Sequence, residues 1–243
     1  MDASPVQLPK RFYKKVDVAE TETGWAMQLD GRSPVTPAKQ KLIVPTEALA
    51  IELAAEWDGQ EGVINLPTMT LTRLANVALD RTPATRAAIV EEVCKYAGTD
   101  LVCYLVDAPS ELRERQEAHF KPLRDWASRN HGIALVTTEG AINTDQPEAS
   151  LLAVQAYADR LDDFALTGLV MGVGLFSSAV LGIAALEGEL QATDAFDMSR
   201  IEEMWQIEQW GEDQEATEAV EAKRKDVEAL GRWFTALKGA HTA

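Results

Sequence analysis

The chain has 243 residues, 46% of them hydrophobic, enough to bury a sizeable core and too many for a disordered tail. Thirty-nine Asp and Glu oppose 23 Lys and Arg, a net charge of −16. That balance argues against a nucleic-acid groove, which needs cations for phosphate, and against docking on an anionic membrane surface.

The first predicted elements are strands. Phe12 to Val18 alternates weakly, Trp25 to Leu29 follows, and Asp30-Gly31 is a hairpin-type turn signal. Pro34 to Thr36 and Leu42 to Val44 are short extended candidates. At Thr46 the period changes: Thr46 suits an N-cap, and Leu49, Leu53 and Trp57 recur at helical spacing until Gly59, which places Trp57 in the core. A loop rich in Gly and Pro leads to Pro67, where a domain boundary is expected. Helices are predicted over 70–81 and 84–97. Leu101 to Val106 reads as a strand, and Leu112 to Trp126 as a helix that Pro122 should kink or restart. Ile133 to Val136 is a further strand candidate, and only helices are expected from Glu148 onward.

Phe164 to Leu186 carries no charge and is long enough to cross a bilayer, with Gly168 and Gly172 at GxxxG spacing. Its flanks are acidic on both sides and lack Lys or Arg anchors, so it is read as one buried central helix whose glycines admit close neighbours, without membrane insertion. Further on, Met198, Ile201 and Trp205 share one helical face, while Phe196 and Ile207 lie nearly opposite. Ala216, Val220, Val227, Leu230, Phe234 and Leu237 form a single stripe on the last helix. The whole reads as α+β, with a small β-rich N-terminal domain over residues 1–67 and a larger, mainly helical C-terminal domain over 68–243.

Residues that carry chemistry are sparse. Cys94 and Cys103 lack CxxC spacing and read as buried thiols of a reducing compartment. The start of the chain has no signal-peptide or transit pattern, so export is not expected. His119, His131 and His241 have no second ligand at metal spacing and read as surface or cap residues. There is no phosphate-cradling GxxxxGK[ST] and no GxSxG elbow around Ser177 or Ser178. The carboxylate pairs Glu202-Glu203 and Glu212-Asp213 are adjacent on helices, so their side chains diverge and are not preset for acid–base work. Neither catalytic residues, nor a metal site, nor a cofactor is expected. What stands out is acid with tryptophan: from Glu187 to Glu221, twelve acidic residues face one base, Arg200, with Trp205 and Trp210 among them. A carboxylate rim steers basic partners, and Trp anchors interfaces.

Several stretches, taken in order, resemble the assembly chaperones that bind the alpha subunit of the ATP synthase catalytic head. They are Arg11-Phe12-Tyr13-Lys14, Leu29-Asp30-Gly31-Arg32, Thr36-Pro37-Ala38-Lys39, Leu42 to Thr46 and Ala55-Glu56-Trp57-Asp58 with Gln60. Pro67 to Asp80, Tyr96 to Tyr104, Glu202-Glu203, Trp205-Gln206, Glu208 and Trp210-Gly211-Glu212-Asp213 complete the set, and the match runs from about residue 11 to about residue 237. The chain departs from the family pattern at Leu105, where Arg is usual, at Phe120-Lys121, where a Trp often precedes Pro122, and at Ser33-Pro34, which shifts the spacing to Thr36.

The resemblance implies a two-part fold and a non-enzymatic holding role: the chain covers the alpha subunit's apolar interface until a beta subunit replaces it. With the local charge, it makes Glu203, Glu208, Trp210, Glu212 and Asp213 the expected partner-binding residues; Asp100, which lies in a family-like segment, is read as a cap or buried partner. A monomer in a bacterial cytoplasm is expected, or in a mitochondrial matrix if the chain is a mature imported form. An acidic module for another basic protein and a carboxylate-dependent hydrolase are the alternatives.

Overall fold

In the computed structural model, which describes residues 8–140, 144–212 and 214–238, the N-terminal strands form a small antiparallel sheet whose first hairpin turns at Glu22-Thr23, while the predicted Asp30-Gly31 turn follows its second strand. Strand β1 (Val16–Thr21) pairs antiparallel with β2 (Gly24–Leu29), and β2 with β3 (Ile43–Val44), in the order β1-β2-β3. Asp30 and Gly31 have φ of 47° and 77°, so both adopt the left-handed conformation of a tight hairpin turn. Leu29 and Arg32 exchange backbone hydrogen bonds across it at 2.9 and 3.0 Å. The Asp30 carboxylate also accepts from the amides of Lys14 and Lys15, which holds its pKa below the usual carboxylate range. Of the extended candidate at Pro34 to Thr36, only Val35 forms a bridge, to Lys41.

Helix α1 (Glu47–Asp58) begins at Thr46, whose hydroxyl oxygen accepts from the Leu49 amide at 3.1 Å. Leu49, Leu53 and Trp57 are buried, so the helical stripe faces the core as its spacing predicts. Glu56, on the same helix, accepts from the amides of Leu71 and Thr72, both at 2.8 Å. Those amides open α2 (Thr70–Asp80), which has no side-chain cap of its own at its N-cap residue, Met69. At the other end of α2, Asp80 accepts from the Thr36 hydroxyl at 2.6 Å and the Ala38 amide at 2.9 Å. Arg11 donates to the carbonyls of Asp58 and Gln60, both at 2.7 Å, and the Tyr13 hydroxyl to that of Trp57 at 2.6 Å. This compact unit runs to Ala84 and includes residues 236–238, where the Ala236 carbonyl accepts from the Thr46 hydroxyl at 2.7 Å. Pro67 lies within it, in a 3-10 turn over Leu66–Thr68.

The second unit, Thr85–Thr235, is mainly helical, and the change of unit falls in the first turn of α3 (Thr82–Gly98). The predicted strand over 101–106 divides into a 3-10 turn, Leu101–Cys103, and a two-residue strand β4 (Tyr104–Leu105). Helix α4 (Ser110–His131) contains Pro122 without ending there or restarting; Phe120, Leu123 and Trp126 are buried on either side of it. The strand expected at Ile133 to Val136 is absent among the described residues; β5 (Thr138–Glu139) follows it and pairs parallel with β4. Leu105 and Phe120, both departures from the family pattern, are buried.

The apolar segment is two helices rather than one. After α5 (Glu148–Asp159) come α6 (Asp163–Phe176) and α7 (Ala179–Glu187), separated by Ser177 in the left-handed conformation (φ 54°). The Ser178 hydroxyl oxygen accepts from Leu181, capping α7 at 3.0 Å, and donates to Asp100 at 2.5 Å. A serine pair with a buried acceptor thus reverses a run that apolar composition alone joins into one helix. Gly182 of α7 faces Val173 and Leu169 of α6, where an added Cβ would lie 2.8 Å from Val173. Among the described residues, no helix is long and apolar enough to cross a membrane.

The helix expected to carry two apolar faces is likewise two helices, α8 (Ala192–Ser199) and α9 (Ile201–Trp210), broken at Arg200. Faces projected through the break are therefore not real: Phe196 is buried on α8, Ile201 on α9, while Trp205 and Ile207 are half-buried. In α10 (Gln214–Leu237), Val227, Leu230, Phe234 and Leu237 are buried, but Ala216 is exposed and Val220 half-buried. Gly168 meets Trp233 and Phe234 of α10, and Gly172 meets Leu230, so the GxxxG pair seats a core helix closely.

Candidate functional site

Helix α9 is the least covered helix in the acidic stretch: Ile201 alone of its residues is buried. Three clefts border it, all within the helical unit. One of about 310 Å³ is lined by Leu101, Tyr104, Gln116 and Phe120 and edged by Glu202, Glu203 and Gln206. A second, of about 460 Å³, lies among Arg115 and His119 of α4, Asp194, Asp197 and Met198 of α8, and Ile201, Met204 and Glu208 of α9. A third, of about 140 Å³, includes Phe196, Arg200, Glu203, Val220 and Lys223.

The expected partner-binding residues divide among these surroundings. Glu203 is exposed and borders the first and third clefts, whereas Glu208 lines the second. Five residues on a helix turn the side chain through about 140°, so the two acids do not act as one group. The Glu208 carboxylate accepts from Arg115 at 2.9 Å, and that guanidinium lies 5.4 Å from the Trp205 ring. Its charge is thus already paired within the chain. Trp210, the last residue of α9, is 80% exposed, the most exposed large apolar side chain among the described residues. Glu212 follows it, exposed, beyond Gly211, whose φ of 88° lets the chain leave the helix. Asp213 lies outside the described residues, as does His241.

Sequence reasoning gave no site role to Arg115, His119, Met198 or Met204, although it read His119 as a surface or cap residue and placed Met198 on a shared apolar face. Arg115 and His119 are four apart on α4, but nothing in that spacing announces that α8 and α9 will meet them.

The one carboxyl pushed far from its ordinary value among the described residues is Asp100, raised to about 6 by burial. It caps the 3-10 turn, accepting from Val102, and also accepts from the Ser178 hydroxyl and from the Val180 amide at 3.0 Å. Fully buried and lining none of the three clefts, it serves as the predicted cap and buried partner. Burial also lifts the Cys103 thiol to about 12, while Cys94 is half-buried, and both thiols are free. His131 is enclosed rather than superficial, its ring edge-on to Trp126 and Tyr157, with Nε2 3.5 Å from Glu187. No group of three or more His, Cys, Asp or Glu suited to a metal ion occurs among the described residues.

Residues 10–128 match the family model described as ATP12 chaperone protein. The crystal structure of Atp12 from Paracoccus denitrificans is similar over 95% of this chain and 99% of that one, with 37% identity and a TM-score of 0.89. The Atu1473 protein of Agrobacterium tumefaciens is similar over 95% of this chain and 87% of that one, with 36% identity and a TM-score of 0.89. The mitochondrial protein atp12 of Schizosaccharomyces pombe is 23% identical over 232 residues, 89% of this chain and 79% of its own length.

Proposed function

Because the chain belongs to the ATP12 chaperone family, whose role is ATP synthase assembly, we propose that it holds the free alpha subunit until a beta subunit takes its place. The observation that carries this reading is Trp210, left 80% exposed at the tip of an acidic helix. Exposing so large a ring to water is unfavourable unless a partner covers it, and Trp is a frequent interface anchor. Glu203 on the same helix and Glu212 just past its end are exposed, leave their charge outward and would steer a basic surface. Glu208, paired with Arg115, instead shapes the helix's flank. Holding of this kind needs surface complementarity and no reacting group, so the activity is non-enzymatic. A monomer in a bacterial cytoplasm or a mitochondrial matrix fits it.

Co-expression with the isolated alpha subunit tests the reading. Alpha is expected to remain in the supernatant with the chain present and to precipitate without it. Equal precipitation in both cases overturns the proposal. Replacing Trp210, Glu203 and Glu212 together should abolish the protection while leaving the circular dichroism spectrum unchanged.

A further inference from the structure

The second cleft beside α9 has a character of its own. Its floor is apolar and adaptable: Met198 is half-buried, Ile201 is buried, and Met204 is 40% exposed. Methionine side chains repack around varied apolar groups, which suits a surface that must grip and then release. Its rim is acidic, but the three carboxylates differ. Glu208 is paired with Arg115 at 2.9 Å, and Asp197 with Arg224 at 2.6 Å. Asp194 is exposed, and its carboxylate has no ion-pair or hydrogen-bond partner among the described residues. The opening is thus net negative, within a stretch that carries eleven excess negative charges over Glu187–Glu221.

Charge decides between occupants. A second copy of this chain carries −16 and would meet repulsion, and an anionic membrane likewise. An apolar side chain alone would leave Asp194 unanswered. A segment placing an apolar side chain on the methionine floor, with Lys or Arg within a turn of it, satisfies both. We propose that the cleft formed by Asp194, Met198, Ile201 and Met204 is a docking groove for such a basic amphipathic segment of the client. This rests on the alpha-subunit reading and names the chemistry of the part that is gripped. The acid supplies orientation and encounter rate, and the methionines supply contact area.

The test measures binding of the purified isolated alpha subunit to the full chain and to two variants, Asp194→Lys and the double change Met198→Ser with Met204→Ser. All three positions are at least partly open to solvent, and thermal unfolding checks that the fold survives. Each variant is expected to bind at least tenfold more weakly, and Asp194→Lys should also flatten the dependence on salt. Leu152→Ser, which alters an exposed apolar residue on α5, should bind as the parent does. A photo-crosslinker at Met204 should capture an alpha segment with Lys or Arg next to an apolar residue.

Parent-level affinity in both variants, while the parent itself binds, overturns the groove and leaves the client reading intact. Failure of the parent to bind removes the client reading, and the groove's named occupant with it. Light scattering that finds a dimer of this chain, broken by the methionine changes, also overturns the proposal, since the occupant is then a second copy.

Discussion

The strand-rich unit and the α9 ridge both contain family-like segments, yet they use their polar groups in opposite ways. In the first, Arg11, Asp30, Glu56 and Asp80 bind backbone groups of neighbouring segments, so the motif residues close turns and helix ends. On the ridge, Glu203, Trp210 and Glu212 face water. Charge divides the same way: residues 8–84 carry nine Lys and Arg against ten Asp and Glu, and residues 85–235 carry thirteen against 28. A shared motif is therefore not by itself a binding motif. What separates the two kinds is whether the side chain's hydrogen-bonding capacity is satisfied within the chain.

The strongest way to break this comparison is at Asp100, which lies in the helical unit but, like Asp30, Glu56 and Asp80, is locked by hydrogen bonds within the chain. It is the one buried carboxylate among the described residues. Asp100→Ala leaves the Ser178 hydroxyl and the amides of Val102 and Val180 without their acceptor. A loss of about 3–4 kcal/mol is expected in urea unfolding; a loss below about 1 kcal/mol would show that the α6–α7 reversal does not depend on it.

The same residue sets a pH dependence. Its folded pKa of about 6 lies above the unfolded value of 3.8, because burial disfavours the ion. Its contribution to stability is therefore fully present below about pH 4 and is lost as pH rises through 6. Relative to Asp100→Asn, the parent should gain at most about 3 kcal/mol between pH 7.5 and pH 4, at 1.36 kcal/mol per pKa unit. A constant difference between the two proteins across that range would contradict the assignment.

Glu56→Ala removes the side-chain acceptor at the start of α2 and should destabilise by about 2 kcal/mol, with Gln recovering part of it. Client binding at saturating folded protein should not change. Trp210→Ala reverses that pattern: unfolding stability should move by less than about 0.5 kcal/mol, while alpha binding falls at least tenfold. If Trp210→Ala destabilised strongly and Glu56→Ala lowered affinity, the division between locked and outward residues would be mistaken.

Much of the fold was legible because it is locally encoded. Asp30-Gly31 dictated a turn through its backbone freedom, Thr46 a helix start through its hydroxyl, and Leu49, Leu53 and Trp57 a buried face through their period. Phe164 to Leu186 was recognisable as core because its acidic flanks carry no Lys or Arg to anchor so uniform an apolar run across a membrane. Its reversal at Ser177 was not, since it depends on Asp100, distant in sequence, supplying an acceptor at the break. Of the candidate site, the charge and the tryptophans could be read directly, and they pointed to α9. That Glu208 would be neutralised by Arg115, and that Met198 and Met204 would floor a cleft with α4, could not. Local propensity is a property of neighbouring residues, and the sequence determined it alone. Pairing and exposure are properties of approach between distant segments, which only the packed tertiary structure decides.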